Sequence, residues 1–204
     1  MSLLHTAIGV FTISNPIGNL PIYLALASGN SRQDRAIAQS ASLTFVIALL
    51  VAAWVGSGLL EFFGISRGAF QIAGGLIVVL IGLSMLRSQT PPEHHDPESV
   101  SRAQSSTVKG VVPLGIPLLA GPGTLTVVIA DPSTSSLAGR FGISLVILLL
   151  GVVVYSIFSA ADILSSRISA SALQILTKVM GLLLTSIAVQ MFANGLVSLF
   201  PVLK

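Results

Sequence analysis

The 204-residue sequence has no cysteine and few charges, 10 Lys and Arg against 7 Asp and Glu, together 8% of the chain. Without cysteine there is no disulfide framework, thiolate metal site or thiol redox centre. A soluble globular domain carries roughly 25% charged residues. A chain with so few, 53% hydrophobic and with a mean hydropathy of +0.94, cannot cover its own surface in water. The lipid bilayer is therefore its expected solvent. Aromatics are also scarce, 6% with a single Trp, whereas glycine is frequent at 19 residues. Small residues let helices approach closely where lipid supplies no hydrophobic push between them. The net charge of +3 comes from basic residues spread thinly over the loops. No basic face exists to bind nucleic acid, so the excess reads as a topology signal.

Charge-free windows run over 2–31, 36–60, 68–86, 110–130, 141–161 and 179–203. Each approaches or exceeds the roughly 20 residues that a span requires. The sequence predicts six transmembrane helices near 3–27, 38–60, 68–87, 109–130, 141–161 and 174–199. The first lacks the basic flank and small-residue cleavage site of a signal peptide and is read as retained. Residues 88–108 form a polar linker with Pro91, Pro92, His94, His95 and Pro97. It separates a first three-helix unit, 1–87, from a second, 109–204. The loops after helices 1, 3 and 5 hold Arg32, Arg35, Arg87, Arg102, Lys109, Arg167 and Lys178; the other side holds Arg67, Arg140 and Lys204. That bias predicts a cytoplasmic first set and periplasmic termini.

A shift of 106 residues lays Pro16 on Pro122, Gly75-Leu76 on Gly181-Leu182, Ile81 on Ile187 and Met85 on Met191. Proline placement supports the repeat. Five prolines fall in loops or the tail. Pro16 and Pro21 lie in predicted helix 1, and Pro113, Pro117 and Pro122 in predicted helix 4. Three spans per unit make the two repeats inverted. Inverted repeats with a broken helix at matching positions point to a transporter binding site.

The first break spans Asn15-Pro16-Ile17-Gly18-Asn19-Leu20-Pro21, and the second runs from Pro113 through Ala120-Gly121-Pro122-Gly123-Thr124. Proline removes a helical donor and clashes with the preceding turn. An opened helix is tolerated at membrane depth only where protein or a water-filled cavity covers it. It offers free N–H groups to anions and free carbonyls to cations. A zwitterion needs both. Candidate ligand-binding residues are Asn15, Pro16, Gly18, Asn19, Ala120, Gly121, Pro122, Gly123, Thr124 and Thr126. The amides around Gly18 and 121–124 would take a carboxylate, and carbonyls near Asn15 and Ala120 an ammonium. On this reading, Gly123→Leu abolishes uptake and spares the fold.

These two stretches, with F-G-I-S at 63–66, I-A-G-G-L-I-V at 72–78 and K-V-M-G-L-L-L at 178–184, resemble the MarC family over nearly the whole chain. That family includes the SnatA-type small neutral amino acid transporters. The resemblance implies a six-helix inner-membrane protein, free to form homo-oligomers, whose substrates are glycine, alanine or similar amino acids. It implies no cofactor or metal. Many members carry Arg where this chain has Lys178, which removes a bidentate contact.

Lys178 is expected to snorkel to the interface rather than enter the site. Asp131 and Asp162 read as solvated anchors at helix ends, with a proton relay as the lesser alternative for either. No acidic residue falls at mid-membrane, so proton coupling has no evident carrier. Gln71, Gln190 and Asn194 read as interhelical hydrogen-bonding groups. His5 stands alone near an interface. An intramembrane enzyme would need a nucleophile and base, a carboxylate pair or metal ligands at depth, and the spans contain none of these. A small-solute channel, or an exporter of another small metabolite, would share the broken helices, and a channel would show no saturation.

Overall fold

Asn15 is where the first helix stops. In this computed structural model, which describes residues 3–27, 29–87, 106–161, 170–200 and 202, helix α1 runs Leu3–Ser14. Asn15 follows with φ +42°, the one positive φ at a non-glycine residue among those described. A residue before proline is pushed out of the helical region, and asparagine tolerates the left-handed one better than most. After the turn at 16–19 the chain resumes as α2, Leu20–Leu26, with Asn19 at its N-cap.

Helix α3, Ser31–Phe62, begins seven residues before the predicted 38. The Asn30 side chain accepts from the Arg32 N–H at 3.1 Å and caps it. The charged first turn lies outside the apolar window but inside the helix. Thirty-two residues span about 48 Å, against a hydrocarbon core of about 30 Å. The α3 C-terminus closes on Gly64, whose φ of +66° allows the Ile65 N–H to reach back to Leu60 O at 2.8 Å. Ser66 then caps α4, Arg67–Arg87, by accepting from the Ala69 N–H at 3.1 Å. The F-G-I-S stretch is thus a stop-and-start signal between two helices.

The second broken segment comprises α5, Ser106–Lys109, the loosely wound α6, Gly110–Leu119, and α7, Pro122–Ala130. Val112 and Ile116, each preceding a proline, are extended at φ/ψ of −130°/125° and −132°/128°. Proline drives its predecessor to these values. A short turn at Pro132–Ser135 leads into α8, Leu137–Ser159, and the last helix is α9, Ala170–Leu199. All regular elements among the described residues are helical. Among the described residues four helices, α3, α4, α8 and the Lys178–Leu199 part of α9, are long and apolar enough to cross a membrane. The predicted spans 3–27 and 109–130 are each divided into shorter pieces. Linker residues 88–105, with His94, His95 and Arg102, and also Asp162, Arg167 and Lys204, lie outside the described residues.

Two apolar clusters hold the helices together. One joins α1, α2, α3, α6, α7 and α8 around Phe45, Leu114 and Phe158, with Tyr23 stacked on Phe158 at 4.9 Å. The other joins α1, α4 and α9 around Ile13, Val78 and Leu184. The α4–α9 contact is a seam of small residues. A methyl group on Gly68 would lie 3.0 Å from Gly195 O, on Gly75 2.9 Å from Ala188 O, and on Gly82 2.9 Å from Gly181 O. As α4 advances by seven residues, α9 retreats by seven, so the helices are antiparallel and nearly touch backbone to backbone. Exposed leucine, isoleucine and valine on the outer faces of α3 and α8, among them Leu43, Ile47, Leu145 and Val152, are suited to lipid.

Candidate functional site

The two breaks face one cavity of about 230 Å³. Asn15, Gly18 and Asn19 line it from the first break, and Gly121, Pro122, Gly123 and Thr124 from the second. Pro16, Ala120 and Thr126 are buried beside the breaks but outside the lining. Charge windows and prolines gave no sign of the remaining wall, which includes Ile81 and Met85 of α4 and Leu184 of α9. In sequence these are ordinary apolar helix residues.

The first break is built on asparagine side chains. Asn15 Oδ1 accepts from the Gly18 N–H at 3.1 Å, while its Nδ2 approaches Met85 S at 3.8 Å. Asn19 Nδ2 donates to Ser14 O at 3.0 Å, satisfying a carbonyl freed at the end of α1. The Asn15 carbonyl accepts from the Asn19 N–H at 3.1 Å. A methyl group at Gly18 would collide with the Asn15 amide, which is why the turn requires glycine there. Asn15→Ala removes the acceptor for a backbone donor and leaves an alanine at positive φ. The expected loss is about 1–3 kcal/mol from the unmet donor and about 1–2 kcal/mol from the left-handed backbone. Asn15→Gly should recover the second part, which thermal unfolding of the three proteins measures.

The second break presents backbone donors. The first helical bond of α7 runs from Leu125 N–H to Gly121 O at 3.0 Å. The N–H groups of Gly123 and Thr124 precede it, and no side chain caps this helix start. The threonines serve the backbone: Thr124 Oγ1 donates to Leu119 O at 3.0 Å, and Thr126 Oγ1 to Pro122 O at 2.7 Å. Gly123 packs as well as lines. Its Cα faces Val78, and a methyl there would overlap Val78 Cγ2 and come within 3.1 Å of Ile13 Cγ2. The expectation that Gly123→Leu spares the fold does not hold, because no space for a side chain exists between α7 and α4.

A second cavity of about 280 Å³ lies among α1, α4, α7 and α9, toward the first residues of α1. His5, Gln71, Gln190 and Asn194 line it, and Gln190 Nε2 donates to Asn194 Oδ1 at 2.9 Å within α9 rather than across helices. Ser84, the repeat partner of Gln190, donates within α4 to Ile81 O at 2.7 Å. Asp131 also lines this cavity. It is 3% exposed, a buried group rather than the solvated anchor expected from its position at a helix end. Lys178 is exposed and lies outside both cavities.

Comparison with known proteins places this architecture. Residues 1–200 match the MarC family integral membrane protein profile. The chain is 38% identical over 190 residues to UPF0056 membrane protein MJ1677 of Methanocaldococcus jannaschii, covering 92% of each. It is 33% identical over 210 residues to UPF0056 membrane protein YvbG of Bacillus subtilis, covering 98% of this chain and 97% of the relative. With UPF0056 membrane protein YhcE of Escherichia coli the identity is 30% over 196 residues, covering 95% and 91%. No solved structure matches. On the family match and on relatives aligned along nearly their full length, the chain belongs to the MarC family of integral membrane proteins.

Proposed function

We propose that the protein carries small neutral amino acids of the glycine, alanine and serine class across the membrane by alternating access, with the substrate held between the two breaks. The observation that supports this most directly is that seven residues from two prolines-and-glycine segments, over 100 residues apart in sequence, converge on one small cavity. Drug-sized ligands occupy pockets of roughly 300–1,000 Å³, so 230 Å³ suits a solute of few heavy atoms. The uncapped N–H groups of Gly123 and Thr124 would take the carboxylate. The amide oxygens of Asn15 and Asn19 would take the ammonium. Ile81, Met85 and Leu184 would limit side-chain size.

Six crossings arranged as inverted repeats, 1–87 and 109–204 joined by the linker at 88–108, fit this reading. Under the 106-residue shift, the Gly75–Ala188 contact becomes the Gly82–Gly181 contact. That exchange is what a twofold axis between α4 and α9 in the membrane plane requires. Alternating access then follows from rocking one unit against the other. Periplasmic termini and an inner-membrane location belong to the same proposal.

The test is uptake of labelled glycine and alanine into proteoliposomes. Saturable uptake competed by serine, but not by lysine or glutamate, is the expected result. Flux that never saturates would indicate a channel, and absence of flux would remove these substrates. Ile81→Ala, a half-buried wall position, should let leucine compete. Unchanged selectivity in that variant would move the substrate elsewhere.

A further inference from the structure

We propose that the second cavity is a second binding site for the transported zwitterion, and that the two cavities are the two ends of one path, interrupted by an apolar plug at Val78 and Ala188. The inference rests on the transport reading above and adds to it a site and a barrier.

The placement of the cavities along α4 carries this furthest. Gln71, near the start of α4, lines the second cavity, and Met85, near its end, lines the first. The helix rises about 21 Å between these two positions, most of a hydrocarbon core of about 30 Å. On the other three helices that line both cavities, the two nearly meet. Ile13 lines the first and Gly9 the second on α1, Thr124 and Val127 do so on α7, and Leu184 and Ile187 on α9. Each of these steps is one helical turn, about 5 Å.

What fills that turn is apolar. Val78 and Ala188 have no exposed surface and line neither cavity. They share one buried cluster with Ile13 and Leu184, which face the first cavity, and with Met191, which faces the second. A zwitterion cannot rest among these side chains, because burying its charges without partners is too costly. The solute therefore stops on either side of a single turn of packing, and rocking one unit against the other has only that turn to open.

The second cavity has the groups to hold a zwitterion. Both oxygens of Asp131 accept hydrogen bonds, Oδ1 from the Ser133 N–H at 2.8 Å and Oδ2 from the Thr6 hydroxyl. The carboxylate is thus fixed as a cap, with its negative charge in the cavity wall. Gln71 is half-buried, and its amide makes no hydrogen bond with any other described residue. Gln190 Nε2 donates to Asn194 Oδ1 at 2.9 Å. Whichever way round the two amides stand, one carbonyl oxygen and one NH₂ group of the pair remain for a ligand. The ammonium goes to the Asp131 side and the free carbonyl oxygen, and the carboxylate to the NH₂ groups. A lipid tail would leave all of these polar groups unmet. The volume, about 280 Å³ against about 230 Å³ for the first cavity, admits a solute of the same size.

Because the chain has no cysteine, single-cysteine variants label without background. Ile187→Cys and Val127→Cys report on the second cavity and Ile81→Cys on the first; all three positions are half-buried and apolar. A membrane-impermeant maleimide is applied to whole cells and to inside-out vesicles. Ile187→Cys and Val127→Cys should react in one preparation, and Ile81→Cys in the other. Glycine at four times its Kd should slow labelling about fivefold at all three, since only the empty site reacts; lysine should slow none. Asn194→Ala or Gln71→Ala, placed in the Ile187→Cys chain, should raise the half-protecting glycine concentration about tenfold, the effect of one charge-assisted hydrogen bond. Unchanged half-protection in both variants would overturn the assignment of the site. So would glycine that protects Ile81→Cys but neither reporter of the second cavity, and that result would leave the transport reading standing. Labelling of both cavities from the same side would overturn the single path. Protection at none of the three positions would remove the transport reading itself, and this proposal with it.

Discussion

Gly75→Val and Gly82→Val together should strip the protein of much of its stability in detergent. At each site the first new carbon would lie 2.9 Å from a backbone carbonyl of α9, Ala188 O or Gly181 O. A side chain in the way can change rotamer, but a carbonyl in a helix cannot move without moving the helix. Overpacking costs about 1–3 kcal/mol per site and occasionally more. Backbone contact and a β-branched side chain put both sites at the upper end. Their combined cost would consume much of the roughly 5–15 kcal/mol that a typical domain has. Leu80→Ala is the control, because Leu80 is exposed on the same helix. Surface changes of that kind stay within about 0.5 kcal/mol. Thermal unfolding followed by size-exclusion chromatography reads all three. Normal stability of the double variant would mean that α4 and α9 do not meet along this seam.

The seam also shows which features the sequence made legible. Glycine abundance was visible, and so was the weak 106-residue repeat. The heptad spacing of Gly68, Gly75 and Gly82 acquires meaning only beside Gly181, Ala188 and Gly195, which an antiparallel partner supplies. The breaks were legible because proline acts on its immediate neighbours: Asn15, Val112 and Ile116 leave the helical region, each directly before a proline. Helix ends were less so. Charge-free windows measure the apolar slab, and α3 continues through Arg32, Asp34 and Arg35 beyond it because Asn30 caps further out. Burial of Asp131 was not legible at all. Its partner Thr6 is 125 residues earlier, and nothing local marks a helix-end aspartate as buried. Likewise Ile81, Met85 and Leu184 become a cavity wall only through the packing of α4 and α9 on the breaks.

Gly123→Ala should destabilise the protein, and Val78→Ala in the same chain should restore it. The methyl at Gly123 would overlap Val78 Cγ2, on a residue with no exposed surface at the α4–α7 contact. Alone, Gly123→Ala costs about 1–3 kcal/mol as overpacking. Val78→Ala alone costs about 1–2 kcal/mol, since two buried methyl groups vanish at about 0.8 kcal/mol each. Combined, the new methyl occupies the vacated space, so the double variant should be more stable than the sum of the single changes by about 1–3 kcal/mol. Uptake then separates the two roles of Gly123. If the stable double variant transports normally, Gly123 is small only to let α7 approach α4, and its N–H suffices for the substrate. If stability returns but uptake does not, the substrate itself must approach the Cα at this position. That outcome fits a ligand held against the backbone at the start of α7, where a side chain would stand between the carboxylate and the N–H groups of Gly123 and Thr124.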